Sequence, residues 1–254
     1  MSADTLGPWR WPALFAHRGG GALAPENTLA GIRLAAALGC SGVEFDVMLS
    51  LDSVPVLIHD ETVDRTTNGS GRVAGLSSGE LARLDAGCKH GKAFSGEALP
   101  TFEAAARLCI ELGMSANVEI KPARGFEAET GALVASLSQR LWGGANGKPL
   151  LSSFSETALI AARQTAPRLS FGLLVEEIPT DAIERCRRLG CVCLHANVDA
   201  WTEARIEALK AAGLFVLGYT ENDPGRARRW WTAGADALVT DRPDLLLSDD
   251  HVAN

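Results

Sequence analysis

Short apolar runs rich in Val, Ile, Leu and Phe alternate along this chain with longer segments of helical period, and the exchange is regular almost from end to end. Strands are expected at residues 13–17, 42–49, 54–59, 116–120, 150–154, 170–175, 191–195, 214–219 and 237–240. Helices are expected near 28–38, 101–112, 127–141, 156–165, 181–189, 202–211 and 224–233. Gly39, Gly113, Gly190, Gly213 and Gly234 each follow such a helix, where a left-handed C-terminal cap favours glycine. Strands that read as apolar on both faces and are joined by helices require a parallel sheet. About eight such units in 254 residues fit a (β/α)8 TIM barrel of the α/β class better than an open doubly wound sheet. The glycine fingerprint of a dinucleotide fold, G-x-G-x-x-G, is absent. The expectation is therefore one barrel domain over residues 1–254.

One interval breaks the rhythm. Between His59 and Ala116 the chain carries Asn68, Gly69, Gly71, Gly75, Gly79, Gly87, Gly91 and Gly96. Residues 60–100 read as an insertion after an early strand, forming a small cap. Loops that follow barrel strands make the catalytic face, and long ordered ones there usually serve a ligand. A flexible surface excursion is the alternative.

Charge narrows the partners. Asp and Glu number 31 against 24 Lys and Arg, a formal net charge of −7, so the chain repels nucleic acid and anionic membrane surfaces, and an anionic substrate needs a local site. No apolar run approaches the roughly 18 residues that span a bilayer. The amino terminus, with Asp4, Pro8, Arg10 and Pro12, lacks a basic patch followed by a long apolar stretch, so a cytoplasmic protein is expected, without membrane insertion. The six cysteines include no C-x-x-C pair and read as free thiols. Cys191 and Cys193 share one face of a short strand, but no further Cys or His pair completes a four-ligand soft-metal site.

The informative residues are the polar ones that interrupt strands. In Gly42-Val43-Glu44-Phe45-Asp46-Val47 the two acids lie two apart, so both point to one face and the apolar residues to the other. Asn117-Val118-Glu119-Ile120-Lys121 repeats the device with Glu119 and Lys121. Unpaired burial of such carboxylates is costly, so a cation must answer them. Three carboxylates meeting at one barrel mouth make an oxygen-rich pocket for a hard divalent ion, Mg²⁺ or Ca²⁺. The alternative is a buried salt-bridge network of Glu44, Asp46, Glu119, Lys121 and Arg18.

His17 and His59 end two strands beside this pocket, and two imidazoles suit general acid–base chemistry near neutral pH. Arg18 and Lys121 offer positive charge to phosphate oxygens. Gly19, Gly20 and Gly21 would let backbone N–H groups approach an anion, although a glycine run reads more simply as a tight turn. His195, at another strand end, reads as structural.

His17-Arg18-Gly19, Pro25-Glu26-Asn27-Thr28, Glu44-Phe45-Asp46, His59-Asp60 with Arg65-Thr66-Thr67-Asn68-Gly69, Glu119-Ile120-Lys121 and Thr240-Asp241-Arg242-Pro243 resemble the ordered motif set of the glycerophosphodiester phosphodiesterases. The resemblance runs over approximately residues 13–247 and is specific, because six separated motifs recur in one order. Gly96-Glu97, Pro100-Thr101 and Leu151-Ser152-Ser153-Phe154 are also similar to family segments, and the chain is most similar to the cytosolic bacterial form associated with glycerol-3-phosphate uptake. The resemblance implies a TIM barrel, one divalent ion on Glu44, Asp46 and Glu119, catalytic His17 and His59, and substrate binding by Arg18, Lys121 and Tyr219. Tyr219 stands where many members carry tryptophan, which weakens any transfer of headgroup preference.

The activity this implies is hydrolysis of a small-molecule glycerophosphodiester to sn-glycerol 3-phosphate and an alcohol, through a cyclic phosphate formed by the vicinal glycerol hydroxyl. A phospholipase or lyase that stops at the cyclic phosphate is a rival, as is a non-catalytic phosphodiester-binding module. The acidic balance argues against a membrane-acting enzyme, and the presence of both histidines and all three carboxylates argues against a degenerate binder.

Overall fold

A computed structural model describes residues 7–144 and 148–247, so that of the residues named above only Asp4 lies outside the described part. Among the described residues nine strands form one sheet: β1 Leu14–Ala16, β2 Gly42–Leu49, β3 Pro55–Leu57, β4 Ser115–Ile120, β5 Pro149–Ser153, β6 Ser170–Val175, β7 Cys193–Asn197, β8 Phe215–Tyr219 and β9 Ala237–Thr240. Eight of them run parallel in the order β1-β2-β4-β5-β6-β7-β8-β9, and β9 pairs with β1 through Leu14↔Leu238, Phe15↔Val239 and Ala16↔Thr240, which closes a TIM barrel.

The segment expected as a strand at 54–59 departs from that pattern. It is β3, which pairs with β2 antiparallel, Val47 opposite Leu57, and lies outside the barrel. The connection is the reason. Ser50 N–H donates to the Val54 carbonyl over 3.1 Å and Ser53 takes a φ of 56°, so the chain turns back at once. A parallel return needs a crossover of a dozen or more residues.

Between the strands lie α1 Leu29–Leu38, the one-turn α2 Ser78–Leu81, α3 Phe102–Glu111, α4 Glu127–Trp142, α5 Glu156–Thr165, α6 Ala182–Leu189, α7 Glu203–Ala211, α8 Pro224–Thr232 and the short α9 Pro243–Leu246. Thr28, Thr101, Ser155, Thr202 and Asp223 each accept a hydrogen bond from a backbone N–H in the first turn that follows, which satisfies a donor the helix itself leaves free. All five expected cap glycines have positive φ, between 69° and 104°.

Strand alternation sorts the side chains into two layers. Val43, Phe45, Val47, Ala116, Val118, Ile120, Leu151, Phe171, Leu173 and Leu194 face the helices in the main core, with Phe45 against Phe102. Their alternates face the barrel axis. At one end the interior is apolar, with Phe15, Leu150, Cys193, Leu217, Ala237 and Val239 packed together. Towards the carboxyl ends of the strands the inward positions become Asn117, Glu119, Glu44, Asp46 and His195, all but Glu119 buried. The apolar floor thus leaves the mouth above it as the place where polar side chains collect.

Residues 60–100 contain short 3₁₀ turns and α2, whose Ser77 and Glu80 form a reciprocal capping box. Their apolar residues Val63, Val73, Leu81, Ala86 and Leu99 pack with Met48, Val56, Ile58 and Ala123 in a separate small core. All six cysteines are free; Cys88 is exposed and the other five are buried.

Candidate active site

Glu44 and Asp46 project from β2, and Glu119 projects from β4, which is in register with it at Asp46↔Glu119. Parity alone puts Glu44 and Asp46 on one face, and the register adds Glu119 beside them. One oxygen from each carboxylate lies within 4.8 Å of the others, the only such group of potential ligands among the described residues. That spread matches a hard divalent ion, whose oxygen ligands stand about 2.0–2.6 Å from the metal and hence at most about twice that distance from each other.

The charges here are incompletely answered by the protein. Burial pushes the Glu44 carboxyl up to about 7, and the neighbouring Asp46 adds to the rise against the opposing pull of His17 and Arg18. Glu119 is driven well above the usual carboxylate range by burial and by Asp46 against the opposing pull of Lys121, whose Nζ stands 3.5 Å from its buried Oε1, and no closer donor reaches that oxygen. Burial also opposes charge on Asp46, but Lys121, His59, Arg18 and the Asn27 hydrogen bond outweigh it and hold this carboxyl low. Three hard oxygen donors, two of them poorly neutralised, fit a divalent cation.

The expected phosphate-binding cations stand over the same carboxylates. Lys121 Nζ lies 3.4 Å from Asp46 Oδ1 and 3.5 Å from Glu119 Oε1, and Arg18 Nε lies 3.7 Å from Asp46 Oδ2. The glycine run forms a tight turn. Gly19 N–H donates to the Glu44 carbonyl and Gly21 N–H to the His17 carbonyl, both over 2.8 Å, so these two donors are not directed at an anion. Gly21 has φ +61°, and a Cβ there would lie 2.3 Å from the Asp241 carbonyl oxygen, so glycine lets the turn close on the end of β9.

His17 follows β1 at the mouth, half-buried, with Nε2 3.9 Å from Glu44 Oε2. Its Nδ1 pairs with Asp241 Oδ1 at 2.7 Å. Burial lowers the His17 pKa, but the Asp241 hydrogen bond and the charges of Glu44 and Asp241 raise it further, for a net rise. His59, after β3, pairs its Nδ1 with Asp60 Oδ1, also at 2.7 Å. There burial prevails over the support of Asp46 and Asp60, and the pKa falls. Each imidazole thus has one nitrogen held by a carboxylate, an arrangement that fixes ring orientation and leaves the other nitrogen for chemistry.

Tyr219 ends β8 and lines a small cavity with His17, Glu44 and Glu119, but its hydroxyl donates to the Val175 carbonyl over 2.8 Å, so it presents its ring. The ring meets the half-exposed Phe154 edge-on, with centroids 6.1 Å apart.

Several residues absent from the expected site support it. Asn27 donates from Nδ2 to Asp46 Oδ2 over 2.9 Å and accepts the Asp46 N–H at Oδ1 over 3.0 Å. Glu26 accepts from Arg18 and from both terminal nitrogens of Arg65, and Arg65 also donates from Nε to Asp60 over 2.6 Å. This ties residues 60–100 to the loop after β1. The sequence signal for these residues was their presence in the motifs Pro25-Glu26-Asn27-Thr28, His59-Asp60 and Thr240-Asp241. Strand parity says nothing about them, because they sit in loops or past strand ends.

Comparison with known proteins agrees with this geometry. A curated glycerophosphodiester phosphodiesterase of Caldanaerobacter subterraneus subsp. tengcongensis is 33% identical over 239 residues, covering 92% of this chain and 96% of its own. An Oleispira antarctica phosphodiesterase, solved in complex with the product sn-glycerol-3-phosphate, is 36% identical, with a TM-score of 0.91 over 96% of this chain and 98% of that one. A glycerophosphodiester phosphodiesterase from Agrobacterium tumefaciens is 28% identical, with a TM-score of 0.79 over 94% of this chain and 100% of that one. The model of the glycerophosphoryl diester phosphodiesterase family matches residues 17–245, from the first site histidine to beyond Asp241, and the chain belongs to that family.

Proposed function

We propose that this chain hydrolyses glycerophosphodiesters to sn-glycerol 3-phosphate and an alcohol, with one divalent ion, Mg²⁺ or Ca²⁺, held by Glu44, Asp46 and Glu119. The observation that carries the reading is the three-carboxylate group with two imidazoles beside it, His17 3.9 Å from Glu44 and His59 interacting electrostatically with Asp46, each oriented by a further carboxylate. The product complex of the Oleispira relative supports the substrate class. The whole chain acts as one barrel domain, with residues 60–100 as a cap beside the site.

In this mechanism His17 and His59 divide the proton work. One imidazole takes the proton from the glycerol hydroxyl next to the phosphoester as that oxygen attacks phosphorus. The other gives a proton to the departing alcohol oxygen, which leaves a cyclic 1,2-phosphate. Water then opens the ring with the two roles exchanged. Asp241 and Asp60 hold the Nδ1 atoms, so each Nε2 is the nitrogen that moves a proton. Arg18 and Lys121 bind phosphate oxygens, and the ring of Tyr219 borders the substrate. Held by Glu44, Asp46 and Glu119, a divalent ion would supply Lewis-acid polarisation of a phosphoryl oxygen.

Among the described residues no helix is long and apolar enough to cross a membrane, and the net charge of −7 disfavours an anionic surface, which supports a small soluble substrate in the cytoplasm. Glycerophosphocholine should therefore be cleaved where phospholipid vesicles are not.

The test is to strip the protein with EDTA, reload it with Mg²⁺, Mn²⁺ or Ca²⁺, and identify products from several glycerophosphodiesters. Restoration by metal with release of sn-glycerol 3-phosphate is expected. Full activity in protein that elemental analysis finds metal-free sinks the metal assignment. A substrate lacking only the vicinal hydroxyl should bind and turn over very slowly. Turnover within about tenfold of the parent, a barrier change of only ~1.4 kcal/mol, would point to direct attack by water.

A second reading is favoured by one observation, the approach of Lys121 to both Asp46 and Glu119. In that reading the carboxylates belong to a salt-bridge network. Failure of the protein to take up any divalent ion in direct titration would select it.

A further inference from the structure

His195 lies on β7 with its side chain wholly buried, and neither Nδ1 nor Nε2 has a hydrogen-bond partner. It faces the barrel axis, since its neighbours Leu194 and Ala196 belong to the core under the helices. An apolar side chain would suit the floor of the barrel, where Phe15, Leu150, Cys193 and Leu217 pack without any polar atom to satisfy. The fold instead makes room for an imidazole. Gly172 is in register with Ser152, which is in register with Glu119, and a Cβ at Gly172 would lie 2.3 Å from His195 Nε2. The ring therefore occupies the space that a side chain at residue 172 would fill.

The same imidazole lines a cavity of about 30 Å³ together with His17, Glu44, Asn117, Glu119 and Tyr219. A water molecule needs ~10–15 Å³ and two to four polar partners, and this cavity offers both. Glu119 Oε1, which has Lys121 Nζ 3.5 Å away as an ion-pair partner, joins the two His195 nitrogens as a third buried polar atom here without a hydrogen bond. Unsatisfied atoms of two residues on one small cavity, walled otherwise by Leu174, Leu217 and Val239, point to a single bridging donor and acceptor shared by them.

We propose that His195 holds an ordered water in the bore of the barrel that donates to Glu119, and that His195 thereby acts as a positioning residue for the metal-binding carboxylates. The inference rests on the proposed metal site for its functional consequence, although the water itself does not. Burial lowers the His195 pKa to about 3, so the ring is neutral and keeps one N–H donor and one lone pair for the water. Neutrality matters at this place. Lys121 and Arg18 orient the carboxylates by charge and so compete with an incoming cation, whereas a neutral ring acting through water orients Glu119 without that competition.

The test combines a high-resolution crystal structure of the unmodified protein with Mn²⁺ titration calorimetry of His195→Leu and His195→Gln. Water density within hydrogen-bond reach of residue 195 and Glu119 is expected. His195→Leu should bind Mn²⁺ roughly 10–100-fold more weakly, as loss of a supporting contact behind a ligand generally does, while His195→Gln, which keeps a donor and an acceptor, recovers most of the affinity. A folded His195→Leu protein with unchanged Mn²⁺ affinity overturns the positioning role. A dry cavity overturns the proposal whether or not the leucine variant folds. Absence of Mn²⁺ uptake by the unmodified protein would refute the metal site instead, and the crystal water would still decide the role of His195 in holding it.

Discussion

His17 Nδ1 and Asp241 Oδ1 stand 2.7 Å apart across 224 residues of sequence, so the first and last strands of the barrel carry the two halves of one hydrogen-bonded pair. Asp241 is itself held by Asn222, whose Oδ1 accepts the Asp241 N–H over 2.8 Å and whose amide donates to Oδ2. The imidazole is thus anchored to the closing seam of the barrel, and its orientation is as rigid as the seam.

Removal of the imidazole should be far costlier to turnover than to folding. His17→Ala is expected to lower kcat by about 10²–10⁴-fold, the usual contribution of one positioned acid or base. Asp241→Asn should lower kcat by a smaller factor with KM little changed, because it releases the ring while leaving the phosphate contacts. Steady-state kinetics with thermal melts checks both, and near-native turnover of His17→Ala would make the residue structural.

Asn27 supports Asp46 with both ends of its amide and sits at a φ of 57°, a conformation asparagine tolerates better than most residues. Asn27→Ala should destabilise the protein by ~1–3 kcal/mol through the buried groups left unpaired, with backbone strain in addition. Asn27→Gly should remove the strain and keep the hydrogen-bond loss. Both should weaken divalent-ion binding by about 10–100-fold in direct titration, since a ligand loses the group that orients it.

Lys121→Met separates phosphate binding from carboxylate neutralisation. It deletes a cation that stands 3.4 Å from Asp46 and 3.5 Å from Glu119 without deleting a ligand. Metal affinity should stay the same or rise, while kcat/KM falls by at least about tenfold for the lost charge-assisted contact to phosphate. Global unfolding together with lost metal affinity would support the salt-bridge network.

The buried His195 gives a pH dependence of defined sign. Burial lowers its folded pKa to about 3 against the ordinary histidine value of 6.5 in the unfolded chain, so the unfolded state binds the extra proton below pH 6.5. Stability from this group is therefore complete above about pH 6.5 and is lost as the pH falls towards 3, by at most ~1.4 kcal/mol per pH unit. Urea unfolding in EDTA at pH 8 and pH 5 should show a drop in the unmodified protein that exceeds the drop in His195→Gln by about 2 kcal/mol. Equal drops would mean that the histidine is not held neutral.

Much of the architecture follows from local rules that the chain carries in plain form. The alternation of apolar strands and helical segments, with glycine after five helices, implies the parallel barrel because strand periodicity and helix capping depend on neighbours only a few residues away. Parity likewise gathers Glu44 with Asp46, and Glu119 with Lys121. It tells which face a side chain takes but not what stands opposite it. The reversal of β3 was hidden because an apolar run looks the same in either direction, and a five-residue turn decides it. The occupied N–H groups of Gly19 and Gly21, the clasp of Asn27 on Asp46, the pairing of His17 with Asp241 and the space beside Gly172 for the His195 ring arise only when the barrel closes. Closure sets the register of strands far apart in sequence, and no local period encodes which of their ends will meet.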